Sequence, residues 1–210
     1  MHSEQPLPAE DGSPSVGFQL WVDLPRHLKM CEPRYRDLHA GEIPHVQLDN
    51  GRVHVKVISG KCGGVDSVKD LAYTPVWYLD IEINPGGSIS QPLPQDWNAF
   101  AYVFEGSALF GSRDSGPVVA KTFNVVILAR DGDSIDIEVP ATADGNARLI
   151  LIAGQVLDQP IVQHGPFVMT SQQEIHQAFE DFYMHRNGFE RARNWRSQRS
   201  KKAARRDHIV

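Results

Sequence analysis

The sequence has 210 residues, of which 41% are apolar and 22% charged, and a formal net charge of −5. A chain of this length can bury a hydrophobic core without disulfide or metal crosslinks, because single domains contain roughly 100–200 residues. No apolar run reaches the ~18 residues that a membrane span needs, and the polar N-terminus is not typical of a secretory signal. We therefore expect a soluble intracellular protein with no membrane partner.

The charge is distributed unevenly along the chain. Residues 186–210 carry nine basic and two acidic side chains, a net charge of +7, which leaves −12 for residues 1–185. An acidic body does not attract nucleic-acid phosphates, so we expect no direct DNA binding by it. Five cations lie between Arg199 and Arg206. Such a cluster is typical either of a solvated, disordered end or of a nuclear-localisation or partner-binding patch.

Alternation of apolar and polar residues predicts a series of short antiparallel strands. Phe18–Val22 reads as an isolated strand, and clear alternation begins at Arg52–Ile58 and continues at Val76–Ile83. Further strands are predicted at Ala99–Phe104, Ser107–Phe110, Val118–Leu128, Ser134–Val139 and Ala147–Ala153. Turn residues separate these segments, so the pattern indicates a β-sandwich or barrel rather than alternating strands and helices.

One helix is predicted after the strands. Ser171–Glu174 is a capping box, and the apolar residues that follow have the spacing of one helix face. These residues are Ile175, Ala178, Phe179 and Phe182. We expect the helix to end at Asn187–Gly188, with a second short helix from Phe189 to Trp195. The apolar face of the first helix should pack on the outside of the sheets. Phe179→Ala should then lower the free energy of unfolding by about 3–5 kcal/mol if that ring is buried.

The common catalytic motifs are absent from the sequence. It has no phosphate-binding loop, no Gly-x-Ser-x-Gly and no His-Glu-x-x-His, and its two cysteines, Cys31 and Cys62, are too far apart for a zinc motif. One His-x-Glu pair exists, His2 and Glu4. Residues i and i+2 share one face of a strand, so this pair has the spacing of metal ligands. The alternative is that both residues belong to a frayed polar end.

Several blocks of the sequence resemble the pirin family. They are Trp21–Pro25, Lys29–Tyr35, Tyr78–Asp80, Gln91–Pro94, Leu151–Gly154, Gln163–Met169 and Asn187–Ala192. The resemblance implies an all-β fold: a cupin (RmlC-like jelly roll) double-stranded β-barrel with a C-terminal helix. Pirins have two such barrels, and the blocks here match the C-terminal part of the family.

The resemblance implies a division of the chain into four parts. Residues 1–45 would be a remnant of the N-terminal barrel plus a linker, and residues 46–165 the C-terminal cupin barrel. Residues 166–197 would form the C-terminal helical segment, and residues 198–210 a basic disordered tail. Most of the first, metal-binding barrel would then be missing.

The family binds Fe(II) through three histidines and a glutamate, and His2 and Glu4 match one half of this ligand set. The His-x-His half is absent, so we expect weak iron binding at most. In the second barrel, Ser88 and Ser90 occupy the place of a His-x-His pair, and serine hydroxyls are poor ligands. We therefore expect a metal-free barrel whose aromatic residues, Trp77, Trp97 and Phe100, line a pocket or pack in the core.

The resemblance implies two functions of different classes. The first is a nuclear transcriptional co-regulator that binds transcription-regulatory proteins and occurs in the nucleus and cytoplasm, with an incomplete iron site. The alternative is an iron-dependent quercetin (flavonol) 2,3-dioxygenase, if a longer form supplies the missing ligands. As the sequence stands, with two of the four ligands, we do not expect an active enzyme. A partial product without activity is the third possibility.

Overall fold

The described part of the protein is built from β-strands with one α-helix near its C-terminal end. The structure is a computed structural model, and it describes residues 11–12, 17–68, 72–112 and 116–196. The strands are β1 His45–Leu48, β2 Val53–Ser59, β3 Lys61–Cys62, β4 Val65–Asp66, β5 Val76–Ile83, β6 Ser88–Pro92, β7 Asn98–Glu105, β8 Ser107–Phe110, β9 Val118–Lys121, β10 Val125–Leu128, β11 Ser134–Glu138, β12 Ala147–Gly154, β13 Val162–His164 and β14 Phe167–Met169. The helix α1 is Gln172–Met184.

The chain divides into two compact units. One consists of Met1–Lys29 together with Gln159–Val210, and the other of Met30–Asp158. The first unit contains the hairpin β13–β14 and α1, and the second contains the larger sheets. Among the described residues, we find no helix with the length and apolar character needed to cross a membrane.

Two antiparallel sheets enclose the core of the second unit. The larger has the strand order β1-β2-β5-β12-β7-β10, and the smaller has the order β6-β11-β8-β9. Alternate residues of each strand point into the space between the sheets, which is why the predicted period of two is seen as alternating burial. On β5, for example, Leu79, Ile81 and Ile83 are fully buried. The apolar Cys62 thiol is also buried, and burial raises its pKa to about 11.

The long predicted strand Val118–Leu128 is two strands in the structure. β9 pairs with β8 in the smaller sheet, whereas β10 pairs with β7 in the larger one. Residues 122–124 carry the chain from one sheet to the other, and Phe123 there has a positive φ of 69°. Gly106 makes the matching link between β7 of the larger sheet and β8 of the smaller one. Its carbonyl oxygen accepts hydrogen bonds from Thr122 N (2.9 Å) and Thr122 Oγ1 (3.0 Å). The prediction of one uninterrupted strand was wrong because alternation does not reveal which sheet a segment joins.

Two further predictions about local structure were wrong. Phe18–Val22 is not a strand in the structure, because no described segment pairs with it. Instead of a second helix from Phe189 to Trp195, only a single 3-10 turn forms, at Ala192–Asn194.

The predicted start of α1 is confirmed, and its end is corrected. Ser171 Oγ accepts a hydrogen bond from Glu174 N (3.2 Å), as an N-cap does. Glu174 Oε2 reaches back to Thr170, accepting from its N (2.9 Å) and Oγ1 (2.7 Å), so the return contact goes one residue beyond the cap. His185 ends the helix in the left-handed conformation with φ 55°, before the predicted Asn187–Gly188 stop.

The helix packs on the hairpin β13–β14 within the first unit. The Phe179 ring meets Phe167 edge-on at 5.1 Å and His164 at 5.3 Å between ring centroids. Phe179 is only half-buried, whereas Ile175 is completely buried. Of these two apolar residues, the one in the first turn of the helix is therefore the more deeply buried.

Asp181 on α1 is a buried carboxylate that fixes the helix end. Its Oδ1 accepts from Arg186 Nε (2.8 Å) and from Gln177 Nε2 (2.9 Å). The hydrogen bond from the Arg186 guanidinium, followed by that from Asn187, lowers the pKa of the Asp181 carboxyl below its ordinary value of 3.8. The pKa is therefore lower in the folded than in the unfolded state, and the stabilisation exists above the unfolded pKa.

We expect Asp181→Asn to be less stable than the wild type at pH 7, by an amount that shrinks as the pH falls below about 4, because the Asp181 carboxylate of the unfolded chain takes up a proton before that of the folded chain does. Denaturant midpoints of the two proteins between pH 7 and pH 2 measure this difference. A gap between the midpoints that does not change with pH would show that the charge of Asp181 is unimportant.

Candidate functional site

The two predicted metal ligands cannot be placed in the structure. His2 and Glu4 lie outside the described residues. Their assignment as the remaining half of an iron site therefore stays a prediction. Within the described residues, the candidate site is the interior and the ends of the barrel in the second unit.

Strand β6 is the segment at which the second barrel was expected to hold serines in place of metal ligands. Ser88 and Ser90 are exposed, whereas Ile89 and Gln91 are buried between the sheets. The serines therefore face away from the barrel interior, and the expectation that they replace inward ligands was wrong. The Gln91 side chain is held in place, because its Nε2 donates to the carbonyl oxygens of Lys61 (3.2 Å) and Pro92 (2.7 Å).

The interior of this barrel is filled by apolar side chains. They come from both sheets and include Val53, Val55, Val57, Leu79, Ile81, Ile83, Val103, Ile137, Val139, Leu149 and Leu151. Within the described ranges, no three or more His, Cys, Asp or Glu side chains come together as a metal site would require. Iron prefers imidazole and carboxylate donors, so the donor set of the described barrel does not fit an iron ion.

A small cleft opens at one end of the barrel, where β6 and β10 end and β11 begins. Its volume is about 180 Å³, and its walls include Leu93, Pro94, Trp97, Leu128 and Ile135. The Trp97 ring is fixed by an edge-on contact with Trp77, with the ring centroids 6.4 Å apart. Of the three aromatic residues expected at a pocket, Trp97 lines this cleft and Trp77 supports it.

Phe100, the third of these residues, is not part of the cleft. Its neighbours on β7, Ala99 and Ala101, are buried between the sheets, so Phe100 points to the outer face of the larger sheet. There it lies opposite Ile127 of β10 and Ile152 of β12.

A polar cluster in the first unit was not predicted from the sequence. Lys29 Nζ, in a side chain that is 5% exposed, contacts Asp23 Oδ1 (2.5 Å) and the Val168 carbonyl oxygen (3.1 Å). The amide of Gln159 donates to Asp23 Oδ2 (3.2 Å) and to the Leu24 carbonyl oxygen (3.0 Å). A buried ammonium needs such partners, so the cluster ties residues 23–29 to the segment around β14.

A cleft of about 410 Å³ adjoins this cluster. Trp21, Val22 and Ile161 line it together with Asp23 and Lys29. Trp21 and Ile161 are both more than half exposed. Asp23 and Lys29 belong to the pirin-like blocks Trp21–Pro25 and Lys29–Tyr35. The residues around them show no regular spacing that would have predicted a contact between the two side chains.

Comparisons with known proteins agree with this architecture. Residues 78–188 match the family model described as the pirin C-terminal cupin domain. Pirin from Homo sapiens is 40% identical over 198 residues, which are 94% of this chain and 65% of that protein. A pirin-like protein from Arabidopsis thaliana is 39% identical over 199 residues, which are 94% of this chain and 63% of the relative. The chain thus spans slightly less than two thirds of the length of these relatives.

A solved structure gives the same result for the fold. The crystal structure of a quercetin 2,3-dioxygenase from Acinetobacter baumannii superposes with a TM-score of 0.69 and 27% sequence identity, covering 80% of this chain and 56% of that one. These comparisons confirm the predicted all-β cupin fold with a C-terminal helix. The chain therefore belongs to the pirin family, and its residues 78–188 form a pirin C-terminal cupin domain.

Proposed function

We propose that this chain acts as a pirin-type interaction protein, a transcriptional co-regulator that is present in the nucleus and cytoplasm and binds regulatory proteins. The observation that carries the proposal is the apolar filling of the described barrel. Ile89 and Gln91 of β6 are buried in the barrel interior. We therefore expect partners to bind on the outer surface of the barrel. Protein partners are recognised on such surfaces without a catalytic group.

The charge distribution supports recognition of proteins rather than DNA. Residues 1–185 carry a net charge of −12, which opposes the approach of phosphate backbones. A co-regulator of this kind is recruited through a DNA-bound partner. Fusing the chain to an unrelated DNA-binding domain is the direct test, with reporter transcription as the readout. We expect reporter output to change relative to the DNA-binding domain alone, and unchanged output would contradict a co-regulator role.

The basic tail is the element that we assign to nuclear accumulation. Its five cations between Arg199 and Arg206 form a cluster without acidic residues, and they lie outside the described residues. Import receptors present acidic grooves, and the acidic body of the same chain competes for the tail. At physiological ionic strength the Debye length is about 8 Å, which favours the undocked tail.

We expect that replacing Lys201, Lys202, Arg205 and Arg206 by alanine lowers the nuclear signal of a fluorescent fusion too large to enter passively. The matched control replaces Arg191, Arg193 and Arg196, which lie before the tail, and should leave the signal unchanged. An undiminished nuclear signal of the tail variant would contradict a role of the tail in nuclear accumulation.

The alternative function is that of an iron-dependent quercetin 2,3-dioxygenase. Its support is the superposition on the Acinetobacter baumannii enzyme. Fe(II) chemistry on a flavonol requires a metal with open coordination positions, held by a full ligand set. His2 and Glu4 would supply half of that set, and a longer form would have to supply the rest.

Metal content distinguishes the two functions. We expect the 210-residue chain to contain far less than one iron per chain after purification under Fe(II). In a longer form with an upstream barrel, His2→Ala and Glu4→Ala should each lower iron occupancy, whereas His27→Ala should not. Near-stoichiometric iron in the short chain would favour the enzyme, and full occupancy in the His2 and Glu4 variants would remove both residues from the site.

A further inference from the structure

The end of α1 exposes three large, mainly apolar side chains in succession. Tyr183 is 72% exposed, Met184 71% and Phe182 37%. The Phe182 ring is fixed by edge-on contacts with Tyr183 and Phe189, whose ring centroids lie 5.9 Å and 5.5 Å from its own. Tyrosine and methionine are enriched in protein interfaces, and methionine adapts to partners of different shape. The end of the helix therefore has the composition of a binding surface.

The chain that follows α1 returns to this end of the helix and is basic. It turns back through three residues of positive φ between positions 185 and 188, and Phe189 then packs against Phe182. Residues 186–196 contain four arginines and one glutamate, which gives a net charge of +3. We call Phe182–Met184 together with residues 186–196 the α1-end surface.

The acidic groups at this surface are already bound by neighbouring groups of the same unit. Arg186 Nε lies 2.8 Å from Asp181 Oδ1, and Arg186 Nη2 lies 3.5 Å from Glu180 Oε2. The Glu190 carboxylate accepts a hydrogen bond from Gly188 N, at 3.1 Å from Oε2. These carboxylates therefore use Arg186 and a backbone N–H, and they leave the later arginines of the segment to other partners.

Two of these later arginines are available to a binding partner. The side chains of Arg193 and Arg196 are exposed, and neither forms a hydrogen bond or an ion pair with any residue that the structure describes. Trp195, which lies between them in the sequence, is 38% exposed. Arginine, tryptophan and tyrosine are the residues that most often dominate the binding energy of an interface. The α1-end surface thus combines unpaired cations with exposed aromatic rings.

We propose that the α1-end surface binds an acidic peptide segment in which carboxylates alternate with aromatic or aliphatic residues. The carboxylates pair with Arg193 and Arg196, whose guanidinium groups match a carboxylate in two parallel hydrogen bonds. The apolar residues of the peptide cover Tyr183 and Met184. This composition is typical of disordered activation segments. The surface lies on the first unit, so the inference stands apart from the proposed function, which places partners on the barrel.

The combination of apolar and cationic groups selects this partner over other anions. A nucleic-acid backbone would satisfy the arginines but offers no apolar group to Met184. An anionic membrane binds a continuous amphipathic helix, whereas residues 185–196 form tight turns. Residues 1–185 carry −12, which repels acidic molecules at long range. At physiological ionic strength, however, the Debye length is about 8 Å, so an approaching peptide responds mainly to the nearby arginines.

Fluorescence anisotropy tests the proposal with the full chain and a dye-labelled synthetic peptide. The peptide alternates Asp and Glu with Phe and Leu. We expect saturable binding with a Kd on the order of 10–100 µM, in keeping with a small surface. Replacing Phe and Leu of the peptide by Ser, or its acids by Asn and Gln, should in each case weaken binding at least about tenfold.

Substitutions in the chain locate the contact. Met184→Glu and Arg193→Glu should each weaken binding of the acidic peptide about tenfold or more. The matched controls are Met30→Glu and Arg130→Glu, because Met30 is 70% exposed and Arg130 is exposed, both on the second unit. Each control changes the net charge as much as its counterpart does, and it should leave the Kd unchanged. Circular dichroism confirms that each variant is folded.

Several outcomes would overturn the proposal. A wild-type chain that does not bind the peptide at about 500 µM has no such site. If the controls weaken binding as much as Met184→Glu and Arg193→Glu do, the overall charge and not the α1-end surface governs the interaction. Equal binding of the serine-substituted peptide, of a single-stranded oligonucleotide of the same charge or of vesicles containing phosphatidylserine would replace the acidic, apolar segment by a general anion.

Discussion

Replacing Gly106 by alanine is expected to lower the free energy of unfolding by about 3 kcal/mol or more. Gly106 has a φ of +69°, a conformation that costs other residues about 1–2 kcal/mol. A Cβ atom there would overlap the carbonyl oxygen of Asn146 and approach Ala147 Cα to 3.1 Å. Both contacts are backbone atoms at the start of β12, so relief requires a shift of the strand itself.

Gly116→Ala separates the two causes of this loss. Gly116 also has a positive φ, of 75°, but a Cβ there would meet no atom of the described residues within 4 Å. Its substitution should cost only the backbone term of about 1–2 kcal/mol. Denaturant titrations of both variants give the comparison. Equal losses in the two variants would mean that the corner at Gly106 accommodates a side chain, and that the bend between the sheets is less constrained than its geometry indicates.

The bend at Gly106 also shows how far the sequence could predict this fold. Alternation placed Val53, Val55 and Val57 correctly in the core, because a strand with one buried face must alternate. The same period runs through Val118–Leu128, although the chain changes sheets inside it. Alternation reports which face a residue occupies but not which strand it pairs with. The division of Val118–Leu128 between the two sheets is therefore visible only in the structure.

The candidate site illustrates a second limit. A strand has two faces, and a shift of one residue exchanges them. Assigning Ser88 and Ser90 to the ligand positions of a cupin placed the inward face of β6 one residue away from where it lies, at Ile89 and Gln91. The Asp23–Lys29 pair could not be predicted at all, since its third partner, Gln159, is 136 residues away from Asp23.

For the helix, the sequence predicted the apolar face but not its depth of burial. The four residues of the stripe look equivalent by spacing, yet Ile175 is fully buried, whereas Phe182 is 37% exposed. The hairpin β13–β14 that covers the helix is too short to show a period. Phe179 is half-buried against it, so the cost of Phe179→Ala should fall below the 3–5 kcal/mol typical of a fully buried ring.

Ile175→Ala is therefore the helix substitution with the largest expected effect, a loss of about 2–5 kcal/mol. Ile175 has no exposed surface, and it lies one residue after Glu174, whose carboxylate is bound by Thr170. The cap holds this turn in position, so the surroundings cannot easily move into the cavity left by the shortened side chain. Loss of helical circular dichroism with denaturant measures the change.

Ile161→Ala provides the matched comparison for this substitution. It removes the same atoms from a side chain in the same unit that is 65% exposed, so its effect should stay within about 0.5 kcal/mol. A large difference between the two variants would assign the stability of the helix to its buried first turn. If Ile175→Ala cost no more than Ile161→Ala, the helix would have to be held instead by the aromatic contacts of Phe179 and by the Asp181–Arg186 pair at its end.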